Sequence, residues 1–254
     1  MKILVTNDDG IYSPGLAALA RVAAKFGEVV IVAPKEEQSS SGHSITATRP
    51  LSYKKSPIIF EGMEAYKVNG TPADCVALGT HLAEKVDLVL SGINMGPNLG
   101  NAIWHSGTLA AAKQATLLGI RGIAFSTPAK DAEPDFELLE PFVANALSLL
   151  LEDDGLRLVN VNLPYRPVGL KWTRQSVQFY DGQIVPGEDP MGRKHYWFTV
   201  KPLDPAEPGS DRWAVENGYV SLTPLRLDLT SDEDLERVLQ KQPVPEVFTP
   251  AVPH

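Results

Sequence analysis

The N-terminal stretch Lys2-Ile3-Leu4-Val5-Thr6-Asn7-Asp8-Asp9-Gly10-Ile11-Tyr12-Ser13-Pro14 decides how the rest of the chain is read. Ile3-Leu4-Val5 is a short continuous apolar run, the mark of a strand buried on both faces, and it ends abruptly in the polar run Thr6-Asn7-Asp8-Asp9-Gly10. Ser13 before Pro14 then predicts a helix start, with Leu16, Leu19, Ala20 and Ala23 on one face and Gly27 as its end. A buried strand, a polar turn and an amphipathic helix form the first half of a βαβ unit.

The pattern repeats outward from there. Val29 to Ala33 reads as a second strand stopped by Pro34, and Thr71-Pro72-Ala73-Asp74 reads as a capped helix running to about Glu84. Val86 to Leu90 is a third strand running into Ser91-Gly92-Ile93-Asn94, followed by a helix over Thr108–Leu118 closed by Gly119. Gly122–Phe125, a long helix over Asp135–Leu151 and a strand over Leu158–Val161 complete the series. Apolar strands alternating with helices predict an α/β fold, a doubly wound, mostly parallel sheet covered on both faces. This core is expected over residues 1–165, with 166–254 forming hairpins, a short helix and a Pro-rich arm of the same domain. In that second part Lys171–Thr173, Val177–Tyr180 and His195–Val200 read as strands, with Asp181-Gly182 as a turn. A helix is expected from Ser231 to about Gln240, and Pro243, Pro245, Pro250 and Pro253 predict an irregular tail. Such an arm suits oligomer contacts.

Composition narrows the class of function. The 254 residues carry 23 Lys+Arg against 31 Asp+Glu, a net charge of −8, which disfavours general binding to nucleic acid or anionic membrane. Cys75 is the one cysteine, so no intrachain disulfide forms. No apolar run approaches the roughly 20 residues of a membrane span, and acid follows Ile3-Leu4-Val5 too soon for a signal peptide. A cytoplasmic protein is expected.

Ligands of open α/β sheets bind beyond the carboxyl ends of the strands. Strand one delivers Asn7-Asp8-Asp9-Gly10, strand two Gln38 to Ser44, and strand three the run Ser91 to Asn101, all to one rim. Two adjacent carboxylates repel, and one takes up a proton unless a cation lies between them. A hard divalent ion such as Mg²⁺ or Mn²⁺ resolves this, with Asn94 and one serine of 39–41 as further oxygen donors to Asp8 and Asp9. Zinc spacing of Cys and His is absent. Ser106-Gly107-Thr108 opens a helix and leaves amides free for phosphate, although an ordinary Ser/Thr cap reads the same way. The glycines at 92, 96 and 100 match neither a dinucleotide fingerprint nor a P-loop. His43 and His105 lie in rim loops as acid/base candidates, whereas His81, His195 and His254 read as structural or exposed. Cys75 reads as packing, and Trp104 as either a base-stacking ring or core.

Taken together, Val5-Thr6-Asn7-Asp8-Asp9-Gly10, Ala33-Pro34, Gly70 to Val76, Ser91 to Gly100 and Ser106-Gly107-Thr108 resemble the SurE family of survival-protein phosphatases. The resemblance implies a Rossmann-like core and one divalent metal ion per subunit, Mg or Mn, held by Asp8, Asp9, Ser39 and Asn94, with Asp8 and Asp9 catalytic. It implies hydrolysis of nucleoside 5′- and 3′-monophosphates, in some members short polyphosphate, and a homodimer or homotetramer joined through C-terminal arms. Asn7, Gly42, Asn98, Ser106, Gly107 and Thr108 are the candidates for phosphate or substrate contact. Two departures stand out. The serine loop reads Gln38-Ser39-Ser40-Ser41-Gly42, which leaves Ser40 and Ser41 beside Ser39 as ligands, and His105 stands where the family usually has tyrosine. The reading from another class is a non-catalytic, Mg²⁺-dependent phospho-ligand sensor or nucleotide-binding scaffold. A receiver-like sensor needs an aspartate at the end of strand three, where this chain offers Ser91 and Asn94.

Overall fold

The computed structural model describes residues 1–58, 60, 62–129, 133–177, 181–201 and 205–241, with the side chains of 181–183 and 199–201 outside that description. The elements run β1 (Lys2–Thr6), α1 (Pro14–Ala23), β2 (Glu28–Pro34), β3 (Tyr53–Lys55), β4 (Glu64–Val68), α2 (Pro72–Leu82), β5 (Leu88–Met95), a 3₁₀ turn (Gly100–Trp104), α3 (Gly107–Leu117), β6 (Arg121–Thr127), α4 (Phe136–Leu151), β7 (Leu158–Asn162), β8 (Gly169–Trp172), β9 (Asp181–Glu188), β10 (Lys194–Lys201), α5 (Asp211–Glu216), β11 (Tyr219–Pro224) and α6 (Asp232–Lys241).

Nine strands form one sheet in the order β3-β4-β2-β1-β5-β6-β7-β11-β8, and β9 and β10 form a separate antiparallel pair. The six strands from β4 to β7 are mutually parallel. The α/β fold with a mostly parallel sheet is therefore as the apolar periodicity predicts. Alternate β1 residues enter opposite cores. Ile3 and Val5 pack with α1 and α4, while Leu4 packs with α2 and α3. Because both faces are covered, the strands carry no alternation for solvent to impose.

The chain leaves β1 for β2 on one side and later returns to β5 on the other side of β1. Loops after β1 and β5 therefore diverge, and the crevice between them is the place where such a sheet takes a ligand. Gly15, at the start of α1, lies against β5 so tightly that a Cβ there would meet the Ile93 carbonyl oxygen at 2.1 Å. Thr71 and Asp74 cap α2 reciprocally: the Asp74 amide donates to the Thr71 hydroxyl (3.1 Å) and the Thr71 amide to the Asp74 carboxylate (2.9 Å).

Several local expectations change. Residues 91–95 are not loop but the end of β5, with a register shift against β6 between Ser91 and Asn94, and Ser91 is fully buried. Helix α1 stops at Ala23, four residues before Gly27, which is reserved for close approach to the Met1 carbonyl. Asp181-Gly182 is strand, not turn: β9 and β10 reverse over 189–193, where the Asp189 carboxylate accepts from the amides of Met191 and Arg193 at 2.9 Å each. β8 and β11 join the main sheet, with β11 antiparallel to β7. Residues 178–180 of one expected strand, the proline-bearing tail 242–254 and His254 lie outside the described residues.

Candidate active site

The polar run after β1 folds into a turn closed by Asn7. Its Nδ2 donates to the Gly10 carbonyl (3.0 Å), and its Oδ1 accepts from the Gly10 amide (3.2 Å). Gly10 sits at φ +94°, so the chain leaves the strand direction and Asp8 and Asp9 reach one cavity together. Gln38 N–H donates to the Asp8 carbonyl at 2.8 Å, which draws the serine loop over the same crevice.

Asp8 is buried and faces the N-terminus of α3. The Thr108 hydroxyl donates to its Oδ1 at 2.7 Å. Gly107 lies so close that a Cβ there would be 2.8 Å from the Asp8 Cβ, so a bulkier residue would displace the carboxylate. Asp9 is less buried, and its Oδ2 accepts from the Met95 amide at 3.3 Å.

Burial pushes the Asp8 carboxyl above its ordinary range and outweighs the bonds from Thr108 that favour the ion. Burial, and then the neighbouring Asp8 charge, push Asp9 up to about 6. Glu37 adds negative charge to both. Such a pair holds its charges poorly by itself and well with a cation between them.

Two neutral oxygen donors stand beside the pair. The Ser39 hydroxyl donates to Glu37 Oε1 at 2.5 Å, which leaves its lone pairs for a second partner. Asn94 Nδ2 donates to the Gly96 carbonyl at 2.7 Å, which leaves Oδ1 as its available atom. Both residues line the cavity with Asp8 and Asp9. Two carboxylates, a hydroxyl and an amide oxygen suit a hard cation that keeps open positions for water and substrate. Among the described residues no group of three or more His, Cys, Asp or Glu is placed to hold a metal ion, so Ser39 and Asn94 would have to complete a ligand set beside the two aspartates.

On the β5 side, Asn98 is held by a buried amide lattice. Its amide donates to Asn162 Oδ1 (2.8 Å), and its carbonyl accepts from Nδ2 of Asn160 (2.8 Å) and of Asn162 (3.1 Å). Its side-chain Nδ2 donates to Ser126 Oγ (2.8 Å) and Thr108 Oγ1 (3.3 Å). A continuous chain, Asp8–Thr108–Asn98–Ser126, thus links the two lips of the crevice. Two residues on, the Gly100 amide donates to Asp211 Oδ2 at 2.8 Å, while Asp211 Oδ1 accepts from the Ser176 amide at 3.0 Å. Ser106 caps α3, accepting from the Leu109 amide at 3.0 Å.

The cavity measures about 980 Å³. Asp8, Asp9, Ser39, Asn94, Asn98 and Ser106 line it together, as do Ser40 and His105. Asn7, Gly42, Gly107 and Thr108 stand behind the wall. Asn7 closes the acidic turn, Thr108 and Gly107 set Asp8, and the Gly42 amide donates to the His105 carbonyl at 3.1 Å. Ser41 is not on the lining, and His43 pairs with Gln114 at 2.9 Å. Cys75 is buried, and burial raises its thiol well above the usual range. Sequence reading passes over Glu37, Phe198, Arg212 and Glu216 on the lining and Asn160 and Asn162 beneath it. A signal existed for the last two: two amides alternating with valine in an otherwise apolar buried strand need partners inside the protein.

Residues 3–182 match the family model of the survival protein SurE. The chain is 48% identical over 241 residues to 5′-nucleotidase SurE 1 of Thermus thermophilus, covering 93% of this chain and 96% of the relative. It is 43% identical over 254 residues to 5′-nucleotidase SurE of Deinococcus radiodurans, covering 95% and 93%. The crystal structure of the SurE protein from Aquifex aeolicus superposes with a TM-score of 0.81 at 39% identity, over 95% of this chain and 99% of that one. With its motifs, its topology and these relatives in agreement, the chain belongs to the SurE family.

Proposed function

We propose that this protein is a 5′-nucleotidase, a phosphatase that depends on one Mg²⁺ or Mn²⁺ per subunit and also accepts nucleoside 3′-monophosphates and short polyphosphate. The observation that carries the reading is the convergence of Asp8 and Asp9 with Ser39, Asn94, Asn98 and Ser106 on one cavity at the β1/β5 crossover. The names of the similar proteins, 5′-nucleotidases, support the substrate class.

Asp8, Asp9, Ser39 and Asn94 would hold the cation. When bound, it supplies charge neutralisation at the phosphoryl oxygens. The chain's own residues do the rest. Thr108 fixes the Asp8 carboxylate through its 2.7 Å bond, and Gly107 sets how close that carboxylate stands to α3. In this reading Asn98 and Ser106, the cap of α3, line the part of the cavity that takes the phosphoryl group, and the N-terminus of α3 behind Ser106 favours the charge it develops. Water is the nucleophile in this reading, and the phosphorus–oxygen ester bond breaks to give nucleoside and inorganic phosphate. Among the described residues no helix is long and apolar enough to cross a membrane. We place the protein in the cytoplasm as a homodimer or homotetramer, with residues 1–165 carrying the catalytic residues and 166–254, beyond the strands and lining residues it adds to that core, supplying subunit contacts.

The test is phosphate release from a panel of nucleoside 5′- and 3′-monophosphates after chelation and with Mg²⁺ or Mn²⁺ restored, alongside a folded Asp8→Asn variant. Turnover restored by metal in the wild type and lost in the variant is expected. Protein that binds the ion yet releases no phosphate from any nucleotide would refute the enzyme reading and leave a sensor or scaffold.

A further inference from the structure

Beyond the carboxylates and Ser106, two large aromatic side chains line the same cavity. Trp104 closes the 3₁₀ turn and is 51% exposed, and Phe198 comes from β10 and is 68% exposed. A tryptophan is on average mostly buried, and Trp104 instead leaves half its surface open on the cavity that Asp8 and Asp9 line. Its ring is nevertheless fixed. The Lys113 ammonium lies 5.2 Å from the ring centroid and donates to the Ile103 carbonyl at 3.3 Å, so a cation anchored to the backbone pins one side of the indole. Trp104 also stands two residues before Ser106, the cap of α3, so at most about 7 Å of chain separates the ring's anchor from the proposed phosphate end of the cavity. That separation suits a molecule with a phosphate at one end and a flat ring at the other.

We infer that Trp104 is a stacking platform for the nucleobase, with Phe198 of the β9–β10 hairpin offering a second aromatic surface to the same ring. The inference rests on the nucleotidase reading and adds what recognises the base. Stacking needs only a π-face, which every base presents, so the platform separates nucleotides from sugar phosphates without ranking adenine, guanine, cytosine and uracil strongly against one another. Lys113 is a positioning residue here, acting through the indole it holds.

Two measurements test this. The first compares kcat/KM for AMP and for ribose 5-phosphate in wild type, Trp104→Ala and Trp104→Phe. The ratio of the two is expected to fall roughly 5- to 150-fold in Trp104→Ala, the range for losing one base–aromatic stack. Trp104→Phe is expected to recover most of it. A parallel fall for both substrates, or an unchanged ratio, overturns the inference. The second uses adenosine and metal-free protein, with intrinsic tryptophan fluorescence as readout. Quenching by adenosine that disappears in Trp104→Phe supports the platform, and identical quenching in wild type and variant, or none in either, overturns it. Because adenosine carries no phosphate, this second result stands even if no phosphomonoester is hydrolysed, which is the outcome that would remove the nucleotidase reading instead.

Discussion

Removing one hydroxyl should expose how the acidic pair is held. Thr108 is fully buried, donates to Asp8 Oδ1 at 2.7 Å and accepts from Asn98 Nδ2 at 3.3 Å. Thr108→Val keeps the shape and deletes both bonds. Asn98 Nδ2 retains Ser126 at 2.8 Å, so the loss falls mainly on Asp8, a buried acceptor left without its side-chain donor. Loss of a hydrogen bond to a charged group is worth about 2 kcal/mol, which for a chain of this size lowers the melting temperature by roughly 4–8 °C. The bond also favours the ionised carboxylate, so its removal raises an Asp8 pKa that burial already holds high. A proton then competes more strongly with the cation. Affinity for Mn²⁺ should therefore drop in the variant, more at pH 6 than at pH 8, because proton competition fades as pH rises. Calorimetric titration and thermal denaturation, with Thr108→Ser as the variant that keeps the hydroxyl, read both effects. A Thr108→Val protein with unchanged melting temperature and unchanged Mn²⁺ affinity at pH 6 would refute the role given to this bond.

Gly107→Ala should displace Asp8, since the new Cβ meets the Asp8 Cβ at 2.8 Å; a loss of about 100-fold in turnover is expected from a misplacement near 1 Å, measured on protein whose circular dichroism is intact. Gly15→Ala, in a helix where alanine ordinarily stabilises by about 1 kcal/mol, should instead destabilise, because its Cβ would lie 2.1 Å from the Ile93 carbonyl; a rise in urea midpoint would contradict this. Asp74→Ala removes the reciprocal cap of α2 and should cost about 1–2 kcal/mol at neutral pH in denaturant titrations. Asp211 carries the opposite sign to a paired acid: burial raises its pKa above the 3.8 of an ordinary aspartate despite amide bonds from Gly100, Ser176 and Arg212. The unfolded chain therefore loses this proton first as pH rises, and the folded state loses stability from about pH 3.8 until the folded pKa is passed. The stability advantage of wild type over Asp211→Asn should accordingly be larger at pH 4 than at pH 8, and a constant difference would count against it.

The strands that sequence made legible are those buried on both faces, such as Ile3–Val5 and Val29–Ala33, where continuous apolar runs have no other use. The edge strand β3 and the interior strand β11 were not. Tyr53–Lys55 is exposed throughout, and β11 buries Ser221 and Thr223 in alternation with Val220 and Leu222, so neither reads as a continuous apolar run. The hairpin turn was misplaced because Asp181-Gly182 and the stretch 189–193 both carry turn residues, and the Asx bonds of Asp189 decide between them. At the candidate site, Asp8, Asp9, Ser39, Asn94, Asn98 and Ser106 were legible because each lies at or beyond the carboxyl end of a strand or caps a helix. Glu37 hid beside the serine run. Phe198, Arg212 and Glu216 come from about a hundred residues beyond Asn98, and nothing local in their sequence announces a cavity. Thr108 and Gly107 were found by motif, but their part, holding Asp8, emerges only from the packing.

The amide lattice around Asn98 has a consequence for how the protein comes into being. The motif-bearing loops are complete once Thr108 is synthesised, yet Asn98 waits for Asn160 and Asn162, and Gly100 waits for Asp211. The strand carrying those asparagines is itself an open edge until β11, ending at Pro224, pairs with it. At about 5–20 residues per second, the ribosome needs roughly 3–12 s to pass from Asn162 to Pro224. For that interval the nascent chain exposes an apolar strand edge beside a half-built crevice, and the interval, rather than the folding of the first βαβ units, sets when the enzyme becomes competent.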